Sequence, residues 1–201
     1  KRDVVFMATA DEEAGGFFGA GWLVENRPEL FEGIGFLLNE GGGGSVVEGK
    51  AQFGIEVTQK VPYWVRLTAA GEAGHGSRPL VSYASLEMIQ ALDRLRRYEF
   101  DARVIPAVDR HFKGMAERHP EPWGSRFQDL ATSIREPGVL LELQQYAPGL
   151  HTLVRNTCSI TRFGGSEKIN VVSPEVWAEI DCRLLPDQDS DAWLAEVQEV
   201  L

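Results

Sequence analysis

Three consecutive acids, Asp11, Glu12 and Glu13, end an apolar run in "VVFMATADEEAGG", and a fourth, Glu40, ends another in "GIGFLLNEGGGG". Like charges repel, and a buried strand is a costly place to gather them, so both placements ask for a compensating cation. A divalent ion held by Glu13 and Glu40 would offset the repulsion and bring the pKa of a bound water to ~7. Neighbours at a strand end face different ways, which frees Glu12 to take that water's proton. A solvated acidic loop beside a glycine-rich turn explains either cluster alone; two clusters on two strand ends argue for a site. Gly15, Gly16, Gly19 and Gly21 raise a phosphate-binding turn as the alternative. Their order is not G-x-G-x-x-G, and three acids at the mouth of the turn would repel a pyrophosphate.

These carboxylates need a scaffold. "DVVFMATA" and "GIGFLL" read as strands of a parallel sheet buried on both faces, with a helix from about Phe18 that stops at Pro28 between them. Open α/β sheets place their sites beyond the carboxyl ends of such strands, where the acids fall. Each strand needs neighbours on both sides and few are present, so the expectation is a piece of a larger protein with an incomplete catalytic sheet. From about residue 54 the texture becomes the alternation of half-buried antiparallel strands, in "FGIEVTQKVPYWVRLTAAG", "TCSITRF" and "EVWAEIDCRLLP", with Pro62 marking an edge. Two amphipathic helices accompany them, "SYASLEMIQALDRLRRY" capped by Ser82 and "DSDAWLAEVQEVL" opened by Asp or Ser. The order β-α-β-β-α is one strand short of a ferredoxin-like sandwich. The Pro-, His- and charge-rich segment 101–150 reads as a partly helical insertion. The expected fold is therefore α/β: part of a parallel-sheet catalytic domain over 1–61, and a ferredoxin-like α+β domain over 62–201.

Bulk properties narrow the partners. The chain has 201 residues and is 43% hydrophobic, enough for one or two compact domains. Lys and Arg number 20 against 30 Asp and Glu, a balance of −10 that argues against nucleic acid or an anionic membrane as partner. No apolar run approaches the ~20 residues of a membrane span, and no secretory signal pattern opens the chain. Cys158 and Cys182 form no C-x-x-C pair and read as reduced, buried thiols, which suits the cytoplasm.

Four motifs in the same order, "ADEEAGG", "LNEGG", "GHGSRP" and "KINVVSPEVWAEIDCRLLP", resemble the metallopeptidase family of aminoacylase, acetylornithine deacetylase, succinyl-diaminopimelate desuccinylase and the carboxypeptidase S-like enzymes. The resemblance runs from about residue 3 to residue 201, outside the insertion, which itself looks most like carboxypeptidase S-like members. It implies a zinc-hydrolase catalytic domain interrupted by a lid, or dimerisation, domain. Carried over by motif, Glu12 corresponds to the general base, Glu13 to a ligand of one zinc and Glu40 to a ligand of the other. His75 corresponds to the lid histidine that, in dimeric members, reaches the partner's site and steadies the oxyanion. Asn170 and Arg183 correspond to substrate-holding lid residues, with the planar Arg183 guanidinium suited to an α-carboxylate.

The resemblance further implies two zinc ions, with cobalt or manganese as substitutes, a homodimer built through the lid, and hydrolysis of an N-acyl amino acid or small peptide. Glu12 would pass the abstracted proton to the leaving amine. The family's upstream H-x-D pair, bridging aspartate and downstream histidine have no counterpart among these residues. Zinc takes about four ligands, so this chain alone is expected to hold metal weakly and hydrolyse nothing. The rival expectation is a non-catalytic binding or dimerisation module of the same descent. His111, His119 and His151 read as structural or surface residues, Trp64, Trp123 and Trp177 as packing, and Gly164 with Gly165 as a hairpin turn.

Overall fold

In a computed structural model that describes residues 3–47 and 49–201, the backbone divides into two units, Lys1–Ile55 and Glu56–Leu201. The first holds helix α1 (Ala20–Asn26), which ends ahead of Pro28, and an antiparallel hairpin of β1 (Gly43–Val47) with β2 (Lys50–Gly54). The expected parallel strands near residues 4–10 and 34–40 are not strands here. Val4 is 91%, Phe6 90% and Leu38 98% exposed. A strand that is apolar on both faces is stable only between sheet neighbours, and the described residues of this unit supply none.

The second unit carries the sheet. Strand β3 (Val61–Ala70) is followed by the two-residue β4 (Gly74–His75) and helix α2 (Ala84–Arg97). Five short helices come next: α3 (Pro106–Met115), α4 (Trp123–Gln128), α5 (Leu130–Ser133), α6 (Val139–Tyr146) and α7 (Pro148–His151). Strand β5 (Thr157–Gly164), the short β6 (Val171–Val172), β7 (Glu175–Leu184) and helix α8 (Ser190–Val200) complete it. The sheet order is β3-β7-β5, antiparallel throughout, as three strands of a ferredoxin-like sandwich require.

Alternation along β7 decides the layers. Val176, Ala178, Ile180, Cys182 and Leu184 are buried on one face, a period of two that only a half-covered strand produces. Helix α2 meets that face with Ala84, Met88, Leu92 and Leu95, spaced as one helical stripe, and α8 adds Trp193 and Val197. Asp189 caps α8, its carboxylate accepting the Ala192 N–H at 2.8 Å. Arg94 of α2 donates to the carbonyls of Val200 and Leu201, tying the two helix ends together. The inserted helices have their own core, with Phe112, Phe127, Leu130, Leu143 and Val154 fully buried.

Three local expectations change. Ser82 does not cap α2; its hydroxyl donates to the Glu87 carboxylate, and the extended Tyr83 precedes the first helical residue. Gly164 is not a turn residue: a Cβ there would lie 2.2 Å from the Trp177 indole, so it is the close approach that excludes a side chain. Cys158 and Cys182 are directly opposite on β5 and β7 and form a disulfide, because the antiparallel register brings their Cα atoms within 4.1 Å. The cytoplasmic expectation loses the support it drew from reduced thiols. Among the described residues, no helix is long and apolar enough to cross a membrane.

Two stability predictions follow from these cores. Trp193 is fully buried, edge-on to Tyr63 at 5.1 Å, and its indole N–H has no acceptor among the described residues. Trp193→Ala is expected to cost ~3–5 kcal/mol in urea unfolding, and Trp193→Phe clearly less, since it also removes the unpartnered donor. His151 is buried, and burial first, then the cations Arg155 and Lys60, hold its pKa below the usual histidine value. The folded form therefore stays neutral where the unfolded chain takes up a proton. Stability should be intact above about pH 6.5 and fall as pH drops below it, with a slope of at most about 1.4 kcal/mol per pH unit per proton. Urea midpoints at pH 7.5 and 5.5 should converge in His151→Gln; an unchanged difference would remove His151 from the account.

Candidate functional site: the open sheet face and its two ends

The face of the sheet opposite α2 and α8 carries Trp177, Glu179, Asp181 and Arg183 from β7. Register sets their neighbours. Arg66 of β3 lies opposite Glu179 and Pro62 opposite Arg183; on β5, Arg162 lies opposite Glu179 and Thr157 opposite Arg183. Arg162 pairs with Glu179 at 2.7 Å and Arg66 at 3.6 Å, while the Arg66 guanidinium stands 4.2 Å above the Trp177 ring. Trp177 is thus a platform for cations. A shallow pocket of about 420 Å³ lies along this face, lined by Trp64, Arg66, Thr161, Glu179 and Asp181. Trp64 is 60% exposed, so it is not the packing residue expected, whereas Trp123 is buried in the helical core.

One end of the face is cationic. Arg183 is exposed, and Asp181, two residues back on the same face, accepts from its Nε at 2.7 Å and its Nη2 at 3.0 Å. That fork fixes the guanidinium plane. Beside it, the half-buried Lys60 donates through Nζ to the Arg155 carbonyl at 2.8 Å and to the Thr157 hydroxyl at 2.9 Å. Burial, then the neighbouring Arg183 charge, lower the Lys60 pKa to about 8. Asn156 closes the end from below, its Oδ1 accepting the Leu185 N–H at 2.7 Å and its Nδ2 donating to Gln188 at 3.0 Å. Lys60, Thr157 and Asp181 went unremarked in the motifs. The signal for Lys60 is the period of two that sets Lys60, Pro62, Trp64 and Arg66 on one face.

His75 and Asn170 meet at the other end. β4 pairs with β6, His75 opposite Val171, and the Gly76 N–H donates to the Asn170 carbonyl at 2.9 Å. The Ser77 N–H donates to His75 Nδ1 at 3.2 Å, and the Ser77 hydroxyl lies 2.9 Å from the same nitrogen. Nδ1 is therefore an acceptor, so the neutral ring carries its proton on Nε2. Both His75 and Asn170 are exposed. The Gly71 N–H, donating to Pro174 at 2.8 Å, pins this pair to the start of β7. Arg183 lies eight residues further on, roughly 26 Å along an extended strand. The chain brings His75 and Asn170 together and holds Arg183 apart from them.

Glu12, Glu13 and Glu40 belong to the first unit, and all three are exposed. Glu12 and Glu13 open a 3-10 turn at Glu12–Ala14, set up by Asp11, which sits at φ 69° and accepts the Phe18 N–H at 3.0 Å. Gly19 is required there, since a Cβ would fall 1.9 Å from the Ala10 carbonyl oxygen. Among the described residues, no group of three or more His, Cys, Asp and Glu side chains is placed to hold a metal ion.

Comparison with known proteins bears on these residues. Residues 57–201 match the sequence profile of the peptidase dimerisation domain of the M20 group. Over 199 residues the chain is 24% identical to aminoacylase-1 of Mus musculus and 26% identical to that of Sus scrofa, alignments that cover 98% of this chain. The chain spans 38% of the length of those relatives. A solved structure of the dipeptidase Dug1p from Saccharomyces cerevisiae aligns with a TM-score of 0.42 and 17% identity, covering 71% of this chain and 32% of that one. The profile match takes in well over half of the residues, including the whole sheet, both of its ends and the inserted helices. The chain belongs to the M20 peptidases, a hydrolase family, through their dimerisation domain.

Proposed function

We propose that this chain serves a metal-dependent amidohydrolase or peptidase that works as a homodimer on an N-acyl amino acid or small peptide with a free α-carboxylate. The observation that carries the reading is the placement of Arg183 near one end of β7 and of the His75–Asn170 pair, on the separate β4–β6 pairing, beyond the other end, about eight residues of strand away. A small substrate cannot bridge roughly 26 Å of strand. A second lid can. Arg183 of one protomer would take the α-carboxylate, while His75 and Asn170 of the partner would reach the scissile carbonyl.

Each residue suits its part. The Arg183 plane is already set by Asp181. His75, with Nδ1 held as an acceptor, presents Nε2–H to an oxyanion without a prior change of tautomer. Glu12, at the mouth of its turn, would accept a proton from the attacking water and deliver it to the leaving amine. Zinc is the metal we propose, with Glu13 and Glu40 each contributing oxygen donors; it would supply Lewis acidity at the carbonyl. The mouse and pig aminoacylases are the named relatives on which the acyl-amino-acid substrate rests.

In the full-length protein, Glu12→Gln should lower kcat by ~10²–10⁴ with metal content unchanged; retained turnover would remove Glu12 as the base. The dimer is tested by complementation. His75→Ala and Arg183→Ala should each be inactive alone, and a randomly reassociated mixture should regain about one quarter of wild-type activity, because half the dimers are mixed and each holds one intact site. No recovery would refute the trans arrangement. Absent activity in the wild-type protein would favour a binding or dimerisation module.

A further inference from the structure

Arg183 is not the only cation at its end of the sheet. Lys60 lies two residues before Pro62, the cross-strand neighbour of Arg183 on β3, and the hydroxyl that receives its Nζ belongs to Thr157, the cross-strand neighbour on β5. Both cations therefore converge on one corner of the open face. The geometry points to a two-cation carboxylate anchor, in which Lys60 stands beside Arg183 and the two share the carboxylate of one substrate. The inference rests on the proposal that Arg183 receives that carboxylate.

Charge around Lys60 supports it. Arg183 faces it from β7, with Asp181 bonded to that guanidinium; the Arg155 carbonyl and the Thr157 hydroxyl face it from the approach to β5, and His151 from α7; Glu99 lies beyond, 3.8 Å from the Arg155 guanidinium. Burial and the adjacent cations keep His151 neutral. Three cations thus meet two carboxylates, of which Asp181 is committed to Arg183 and Glu99 is 80% exposed. In a chain of net charge −10 this corner carries a local positive excess. A guanidinium has five N–H donors and an ammonium three; Asp181 takes two from Arg183, and the Arg155 carbonyl and Thr157 hydroxyl take two from Lys60. Donors from both remain for one bidentate acceptor. The Lys60 pKa of about 8 gives the anchor a pH limit: the ammonium is present below that value and is lost as pH rises through it, and a bound carboxylate would pull the pKa back up.

Side-chain NMR of the 201-residue chain, with acetate as probe and sodium chloride as ionic-strength control, reads this directly. Acetate should raise the Lys60 midpoint above about 8 and leave Lys113 unmoved; equal shifts at both lysines overturn the anchor. In Arg183→Gln the acetate-free midpoint should rise, because a like charge has gone, and the acetate effect should vanish. An acetate effect that survives there overturns the sharing. In the full-length enzyme, Lys60→Met should raise KM about fivefold at pH 7 with kcat unchanged, the scale of one partly screened charge. Wild-type KM should climb as pH passes about 8, and Lys60→Arg should abolish the climb. A climb that persists in Lys60→Arg, or a loss in kcat alone, overturns the inference. If Arg183→Gln raises KM and Lys60→Met does not, only Lys60 is removed; if Arg183→Gln leaves KM unchanged, the carboxylate role of Arg183 falls and the anchor with it.

Discussion

The sheet, the two helices packed on it and the groups on its open face all depend on β7 being paired on both edges. Its ladder with β3 runs unbroken from Ala70 opposite Glu175 to Val61 opposite Leu184, and its ladder with β5 is interrupted only near Thr161. A strand held this way has no freedom of register. A slip by one residue would turn Asp181 and Arg183 into the core and Ile180 and Cys182 out to water, so the packing of α2 and α8 enforces the direction in which Arg183 points. Core and site are two readings of one alternation. The Cys158–Cys182 bond falls next to the Thr157 and Arg183 pair and reinforces the register there.

The same strand also measures a distance. Residues before β7 are fastened to the end of β3 by the Gly71–Pro174 hydrogen bond, and this carries the β4–β6 pairing with His75 and Asn170. Residues at the far end of β7 carry Arg183, Asp181 and, across the ladder, Lys60. The polar groups that the proposed function assigns to one small substrate are thereby mounted at the two ends of the strand, roughly 26 Å apart. The strand length is what makes a two-chain site the economical reading, and the family's designation as a dimerisation domain agrees with it.

Much of the sheet unit was legible from pattern. The period of two in "EVWAEIDCRLLP" and the helical stripe in "SYASLEMIQALDRLRRY" are local, and the burial of Val176 to Leu184 and of Ala84 to Leu95 follows them. What escaped was non-local. The parallel strands near residues 4–10 and 34–40 carry the right composition, but a two-sided strand needs partners that lie outside its own sequence. The disulfide depends on a register set by residues far from either cysteine. Lys60 belongs to no motif, since its meaning lies in reaching Arg155 and Thr157 across the ladder. Ser82 has the residue type of a cap, but the helix starts one residue later, after Tyr83, and the Ser82 hydroxyl turns to the Glu87 carboxylate.

The inserted helices enter and leave at one place. Phe100 precedes them and Arg155 follows, and the Arg155 guanidinium donates twice to the Phe100 carbonyl, at 3.1 and 2.5 Å, clasping the base. Inside that clasp the helices are stabilised by their own core. Closing such a loop costs free energy that grows only with the logarithm of its length. In mechanical terms the insertion is a cassette: its core is its own and its base is clasped, so its length bears little on the register of the sheet outside it.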